Sequence, residues 1–82
     1  MKMTVELAFG REVKQARDAI RKSQETLAFE AGIHRTYVSQ LERGQKSPTL
    51  AVIVRLARAL NVQPSELIRR VEAILEQGNS PL

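Results

Sequence analysis

Residues 24–44 read QETLAFEAGIHRTYVSQLERG, and the fold turns on how this stretch is parsed. It reads as two short helices joined by a tight turn. Leu27, Ala28 and Ala31 are the apolar set of the first helix; Gly32 then breaks the pattern and Ile33 follows it. Val38 and Leu41 are three apart, so they share one face of the second helix, which Gly44 ends. The room left for the turn is roughly three or four residues, the layout of a helix-turn-helix. Away from Val38 and Leu41 the second helix presents Arg35, Thr36, Ser39, Gln40 and Arg43. That face holds no acid, because Glu42 falls toward the inner side. It offers bidentate donors and short hydroxyls, the groups that reach base edges and phosphates.

Composition narrows the classes. The chain has 82 residues, enough for one small domain and one core. Phe9, Phe29 and Tyr37 are its only aromatics, so the core is expected to be mainly aliphatic. There is no cysteine, which removes disulfides and thiolate metal sites. With one histidine, one aspartate and no clustered carboxylates, no nucleophile–base pair or metal site can be assembled. The expectation is no enzyme, no metal and no cofactor. No apolar run approaches the roughly 20 residues of a membrane span, and no signal-peptide pattern opens the chain. A cytoplasmic protein with no membrane partner is expected.

The net charge is +4 and the sequence pI about 10.1. Nine of the thirteen basic residues fall within the first 46 positions: Lys2, Arg11, Lys14, Arg17, Arg21, Lys22, Arg35, Arg43 and Lys46. A basic half facing a polyanion is the electrostatic footprint of a nucleic-acid binder, although charge alone fits a solvated surface equally well.

Outward from the central stretch, helical signals continue in both directions. Thr4 is an N-cap candidate, with Glu6 in the first turn after it. Phe9, Val13, Ala16 and Ile20 then recur as one stripe, predicting a helix over about Val5 to Arg21. Ser23 is the N-cap candidate of the second helix. After Gly44, Pro48 marks a loop and Thr49 caps a fourth helix, expected over about Leu50 to Leu60. Its expected apolar face is Leu50, Ile53, Val54, Leu56, Ala57 and Leu60. Asn61 suits a left-handed cap, and Pro64 suits the first position of a fifth helix carrying Leu67, Ile68, Val71, Ile74 and Leu75. Gly78 is expected to stop it. The domain division is therefore residues 1–77 as one unit and 78–82 as a flexible tail.

The run from Phe9 to Leu67 resembles the Cro/CI-type helix-turn-helix family, also called the XRE family. The resemblance rests on Ser23-Gln24-Glu25-x-Leu27-Ala28, Ala31-Gly32-Ile33, Tyr37-Val38-Ser39-x-Leu41-Glu42-Arg43-Gly44, Pro48-Thr49-Leu50 and Leu56-Ala57-x-Ala59-Leu60. It implies an all-α, lambda-repressor-like five-helix bundle that binds a double-stranded DNA operator as a homodimer, its third helix in the major groove. Within the family, the small size and the Arg35-Thr36-Tyr37 opening resemble the controller proteins of restriction–modification systems and short phage and plasmid repressors. Three departures stand out. Arg21-Lys22 replaces a frequent Gly-Leu, His34 stands at a usual Ser, Thr or Asp cap, and Gln63 replaces a Ser or Thr cap.

The site expectations follow. Arg35, Thr36, Ser39 and Gln40 are the candidates for reading bases, and Gln24, Tyr37, Arg43 and Lys46 for contacting phosphates. The resemblance implies a structural ion pair between Arg17 and Glu42. Ile68, Val71, Ile74 and Leu75 are the expected dimer interface, since the late apolar residues exceed what one small core encloses. The competing function is an antitoxin, which would add a toxin partner to the same fold.

Overall fold

The computed structural model describes residues 3–78, and its elements there are five α-helices: α1 (Val5–Ala19), α2 (Gln24–Ala31), α3 (Arg35–Glu42), α4 (Leu50–Ala59) and α5 (Pro64–Gly78). Of the expected tail at 78–82, residues 79–82 lie outside that range, as do residues 1–2, while Gly78 is the last residue of α5. Each of the first four helices starts at a residue whose side chain accepts from a backbone N–H. Thr4 accepts from Leu7 at 3.0 Å, Ser23 from Thr26 at 3.0 Å and Thr49 from Val52 at 3.2 Å. These bonds satisfy donors that the helix itself leaves open. At α3 the cap is His34, whose Nδ1 accepts from the Thr36 N–H at 3.1 Å.

The same four helices share one kind of ending. In each, the chain turns through a left-handed residue, and two back-pointing N–H groups close the last carbonyls. Gly32, Gly44 and Asn61 occupy that position after α2, α3 and α4, with φ of 70°, 72° and 60°. After α1 it is Arg21, at φ 54°. There Lys22 N–H donates to Arg17 O and Arg21 N–H to Asp18 O, both at 3.1 Å, the paired bonds of a Schellman motif. Helix α1 therefore stops at Ala19, short of the expected Arg21, and Ile20 falls out of the apolar stripe to stand 39% exposed.

Phe9, Val13 and Ala16 of α1, Leu27, Ala28 and Ala31 of α2, and Val38 and Leu41 of α3 are all buried. So are Val52, Leu56 and Ala57 of α4, Leu60 just after it, and Leu67 and Val71 of α5. Two expectations change. Leu50, placed on the core face of α4, is 77% exposed, because the face is centred on Val52 and Leu56 and residues two apart lie about 200° around a helix. Val71, placed at a dimer interface, is 4% exposed and belongs to the protomer's own core one turn after Leu67.

Two features of α1 seat α3. Gly10 is buried where the last turn of α3 crosses it. A Cβ there would collide with the Leu41 carbonyl oxygen and lie 2.7 Å from that of Glu42. Two turns further along the same side of α1, the Arg17 guanidinium grips Glu42 with both arms of its fork. Nε donates to Oε2 at 2.7 Å and Nη2 to Oε1 at 3.0 Å, while Nη1 reaches Lys22 O at 3.0 Å. The Glu42 side chain is 4% exposed and that of Arg17 12%. Removing either partner would strand the other charge, a loss of about 3–5 kcal/mol for deeply buried pairs.

Two stability outcomes follow from this geometry. Gly10→Ala forces backbone against backbone, and denaturant unfolding should show a loss of about 1–3 kcal/mol, the range for overpacking. Arg21→Gly removes a Cβ from a left-handed residue and should raise stability by about 1 kcal/mol. A variant no more stable than wild type would show that the left-handed cap stores no strain.

Candidate nucleic-acid interface

Helix α3 meets the protein with one face and solvent with the other. Val38 and Leu41 are buried, whereas Arg35, Thr36 and Arg43 are exposed and Ser39 and Gln40 half-buried along the outer face. Among the described residues, none of these outer side chains hydrogen-bonds or ion-pairs with another protein group. Their donors are left for a ligand. Lys46 is exposed in the loop beyond α3, and Tyr37 is half-buried with its ring against the core.

Charge is arranged to suit an anion. The acid on α3 is Glu42, and its carboxylate receives three donors: Arg17 Nε, Arg17 Nη2, and Gln24 Nε2 at 3.0 Å. The hydrogen bond it donates to Glu42 is the main reason that the Arg17 guanidinium holds its proton even more firmly than usual. With its negative charge matched and buried, the outer face keeps only cations and neutral dipoles.

Gln24 has a different position from the one its sequence context suggests. Its amide nitrogen is turned onto Glu42, so one of its two hydrogens braces the ion pair. The second hydrogen and the open backbone N–H groups at the start of α2 are what remain for an outside anion. Ser23, Gln24, Glu25 and Thr26 of that helix start share an open depression with Arg17 and Arg35. The base-reading candidate Arg35 and the phosphate candidate Gln24 thus border one concavity, while Arg43 and Lys46 lie at the other end of α3.

His34 organises the leading end of the helix. Because Nδ1 accepts from the Thr36 N–H, the ring proton of the neutral imidazole resides on Nε2. The ring therefore fixes the first turn of α3, which carries Arg35 and Thr36. Ile68, Ile74 and Leu75 lie on α5, away from this face. Ile68 is 44% exposed, Ile74 and Leu75 are half-buried, and Ile68 and Leu75 line an open groove with Val5, Ser65 and Glu72.

Gly10 and Glu12 escaped the sequence reading. Gly10 passed as one more helical residue, since nothing local announces a backbone crossing. Glu12 carried a usable signal. It lies inside the Phe9–Val13–Ala16 stripe, where an acid has to be buried, and it is 6% exposed.

Among the described residues, no helix is long and apolar enough to cross a membrane. Residues 13–67 match the family model described as helix-turn-helix. The control protein C.BamHI of Bacillus amyloliquefaciens is 44% identical over 69 residues, covering 83% of this chain and 85% of that protein. The control protein C.SmaI of Serratia marcescens is 36% identical over 76 residues, covering 93% and 90%. The crystal structure of the restriction–modification controller C.AhdI from Aeromonas hydrophila superposes with a TM-score of 0.74 at 45% identity, over 76% of this chain and 94% of that one. Matched across its helix-turn-helix and aligned with controllers over most of their length, the chain belongs to the helix-turn-helix family of XRE type that includes the restriction–modification controller proteins.

Proposed function

We propose that this protein is a sequence-specific DNA-binding transcriptional regulator, a cytoplasmic controller that occupies an operator as a homodimer and does no catalysis. The observation that carries the reading is the outer face of α3. Arg35, Thr36, Ser39, Gln40 and Arg43 stand in one row with free donors, and the acid of the helix is neutralised behind them. The controllers it resembles supply the functional class.

In this mechanism α3 enters the major groove. Arg35 grips guanine O6 and N7, Gln40 grips adenine N6 and N7, and Thr36 and Ser39 meet base edges or a thymine methyl. Arg43, Lys46, the Tyr37 hydroxyl and the start of α2 at Gln24 hold phosphates and set the register. The second protomer docks on α5 at Ile68, Ile74 and Leu75, of which Ile68 and Leu75 line the open groove and Ile74 also packs against the protomer's own core. A two-fold pair then presents two copies of α3 about 34 Å apart, one turn of DNA. Bound across a promoter, the dimer blocks polymerase or recruits it.

Two binding measurements test this. Arg35→Ala should relax discrimination between operator and scrambled duplex by about 1–3 kcal/mol, the value of one bidentate base contact. Lys46→Ala should weaken both duplexes alike, since a phosphate contact carries no sequence information. Equal losses on both duplexes for Arg35→Ala would remove it from the reading set. If a dimer neutralises about six phosphates, log affinity should fall against log salt with a slope of about −5. A slope near zero would leave the DNA-binding reading without its driving force.

A further inference from the structure

Helix α1 is held from two sides. Gly10 and Arg17 face α3, as described above. Glu12 comes two residues after Gly10, which places it about 200° around the helix, on the far side. There it meets α5, with Arg70 Nη1 3.4 Å from Glu12 Oε1. The Glu12 side chain is 8% exposed, and among the described residues Glu12 is the buried charged residue apart from the Arg17–Glu42 pair.

Arg70 is itself aimed. Its Nε donates to Glu66 Oε2 at 3.1 Å, one turn back on α5, which leaves Nη1 to point at α1. Glu66 also takes two bonds from Arg69, each 2.8 Å. Those donors, Arg69 first and Arg70 second, hold the Glu66 carboxyl down to about 2, so it remains an anion throughout the neutral range. Leu67 and Val71 form the core side of α5, with Arg70 on one margin and Ile68 on the other. Apolar packing at Leu67 and Val71 is nondirectional and tolerates a small roll of the helix. The Arg70 contact with Glu12, a single Nη1–Oε1 approach of 3.4 Å, adds a direction that this packing lacks.

We infer that Glu12 and Arg70 are positioning residues for operator specificity: they fix the roll of α5 on α1 and thereby set the half-site spacing that the dimer accepts. The inference rests on the proposed dimer through the α5 groove. In that dimer Ile68 and Leu75 face the partner while α1 carries α3, so the seat of α5 on α1 determines where α3 lies relative to the two-fold axis. The symmetry operator applies any change in that seat twice. A step of one base pair is only about 3.4 Å along the duplex, so a modest roll moves the pair of helices between adjacent registers. Neither Glu12 nor Arg70 belongs to the DNA-facing set.

The test uses the full chain and an operator selected from random duplex DNA, together with versions in which the centre is shortened or lengthened by one base pair. A duplex carrying a single half-site is the reference. The wild type should prefer one spacing. Glu12→Gln keeps the shape of the side chain and removes its charge. Arg70→Gln removes the charge from the more exposed partner while shortening its side chain, and guards against a variant of Glu12 that fails to fold. Each should shrink the preference for the best spacing by about five- to tenfold, the scale of losing the net contribution of one hydrogen bond. Affinity for the single half-site should stay within about twofold, a difference too small to register as a lost contact. A uniform loss at every spacing and on the half-site would mean a merely structural role and overturn the inference. An unchanged spacing profile in both variants would overturn it too. Sedimentation separates the inference from its premise. A wild type that is monomeric at tens of micromolar and on the operator removes the α5 dimer itself, whereas an intact dimer with an unaltered profile removes only the role of Glu12 and Arg70.

Discussion

The contact on which the molecule depends is the crossing of α1 by the last turn of α3. Helix α3 has eight residues, well below the roughly 12–15 at which an isolated helix becomes stable in water. Its existence is therefore tertiary. Val38 and Leu41 bury one side, the backbone at Leu41 and Glu42 lies directly on Gly10, and the Arg17 fork clasps the Glu42 carboxylate. His34 and Gly44 satisfy the two ends. All of these anchors lie on the inner side or at the termini. The outer side chains consequently have no structural duty, and their donors can be matched to bases without unfolding the helix that carries them.

The same division explains the handling of charge. A carboxylate on a helix that approaches phosphates would oppose binding if it faced out. Here it is turned in and met by Arg17 and Gln24, so its burial serves packing and electrostatics together. Gln24 shows how closely the two are joined. One amide hydrogen supports the ion pair, and the side chain borders the depression shared with Arg35. The state of the α2 start and the state of the α3 anchor are connected through a single side chain.

Much of the architecture could be read from periodicity and punctuation. Thr4, Ser23 and Thr49 cap as their residue types dictate, and Gly32, Gly44 and Asn61 turn the chain at the ends of their helices. The errors arose where a local rule met a competing one. At Arg21 the chain needed a left-handed residue and lacked the glycine that would mark it, so the apolar period ran on past the true end at Ala19. Leu50 is apolar and follows a good cap, but its angular position takes it off the core face. Val71 was placed in the interface set because one-dimensional counting cannot tell how far α1 and α5 overlap. The row Arg35 to Arg43 is legible from spacing, since Tyr37, Val38, Leu41 and Glu42, the residues that interrupt it, turn toward the inner side. The inward turn of Gln24 was not, because its partner is 18 residues away.

Glu12 poses the sharper question, because an apolar side chain would fill its place. A buried ion pair is weak evidence for stability: replacing one with packed hydrophobic groups is often neutral or favourable. What it offers over an apolar contact is direction. The Arg17 fork defines how α3 sits on α1, and the Arg70 guanidinium, braced by Glu66, defines how α5 sits on the opposite side. Between these pairs the protomer is aliphatic core, whose packing energy varies little with small rotations. In the proposed dimer the directional contacts thus fall at the two joints whose angles a two-fold DNA reader has to control, the one between the scaffold and the reading helix and the one between the scaffold and the partner.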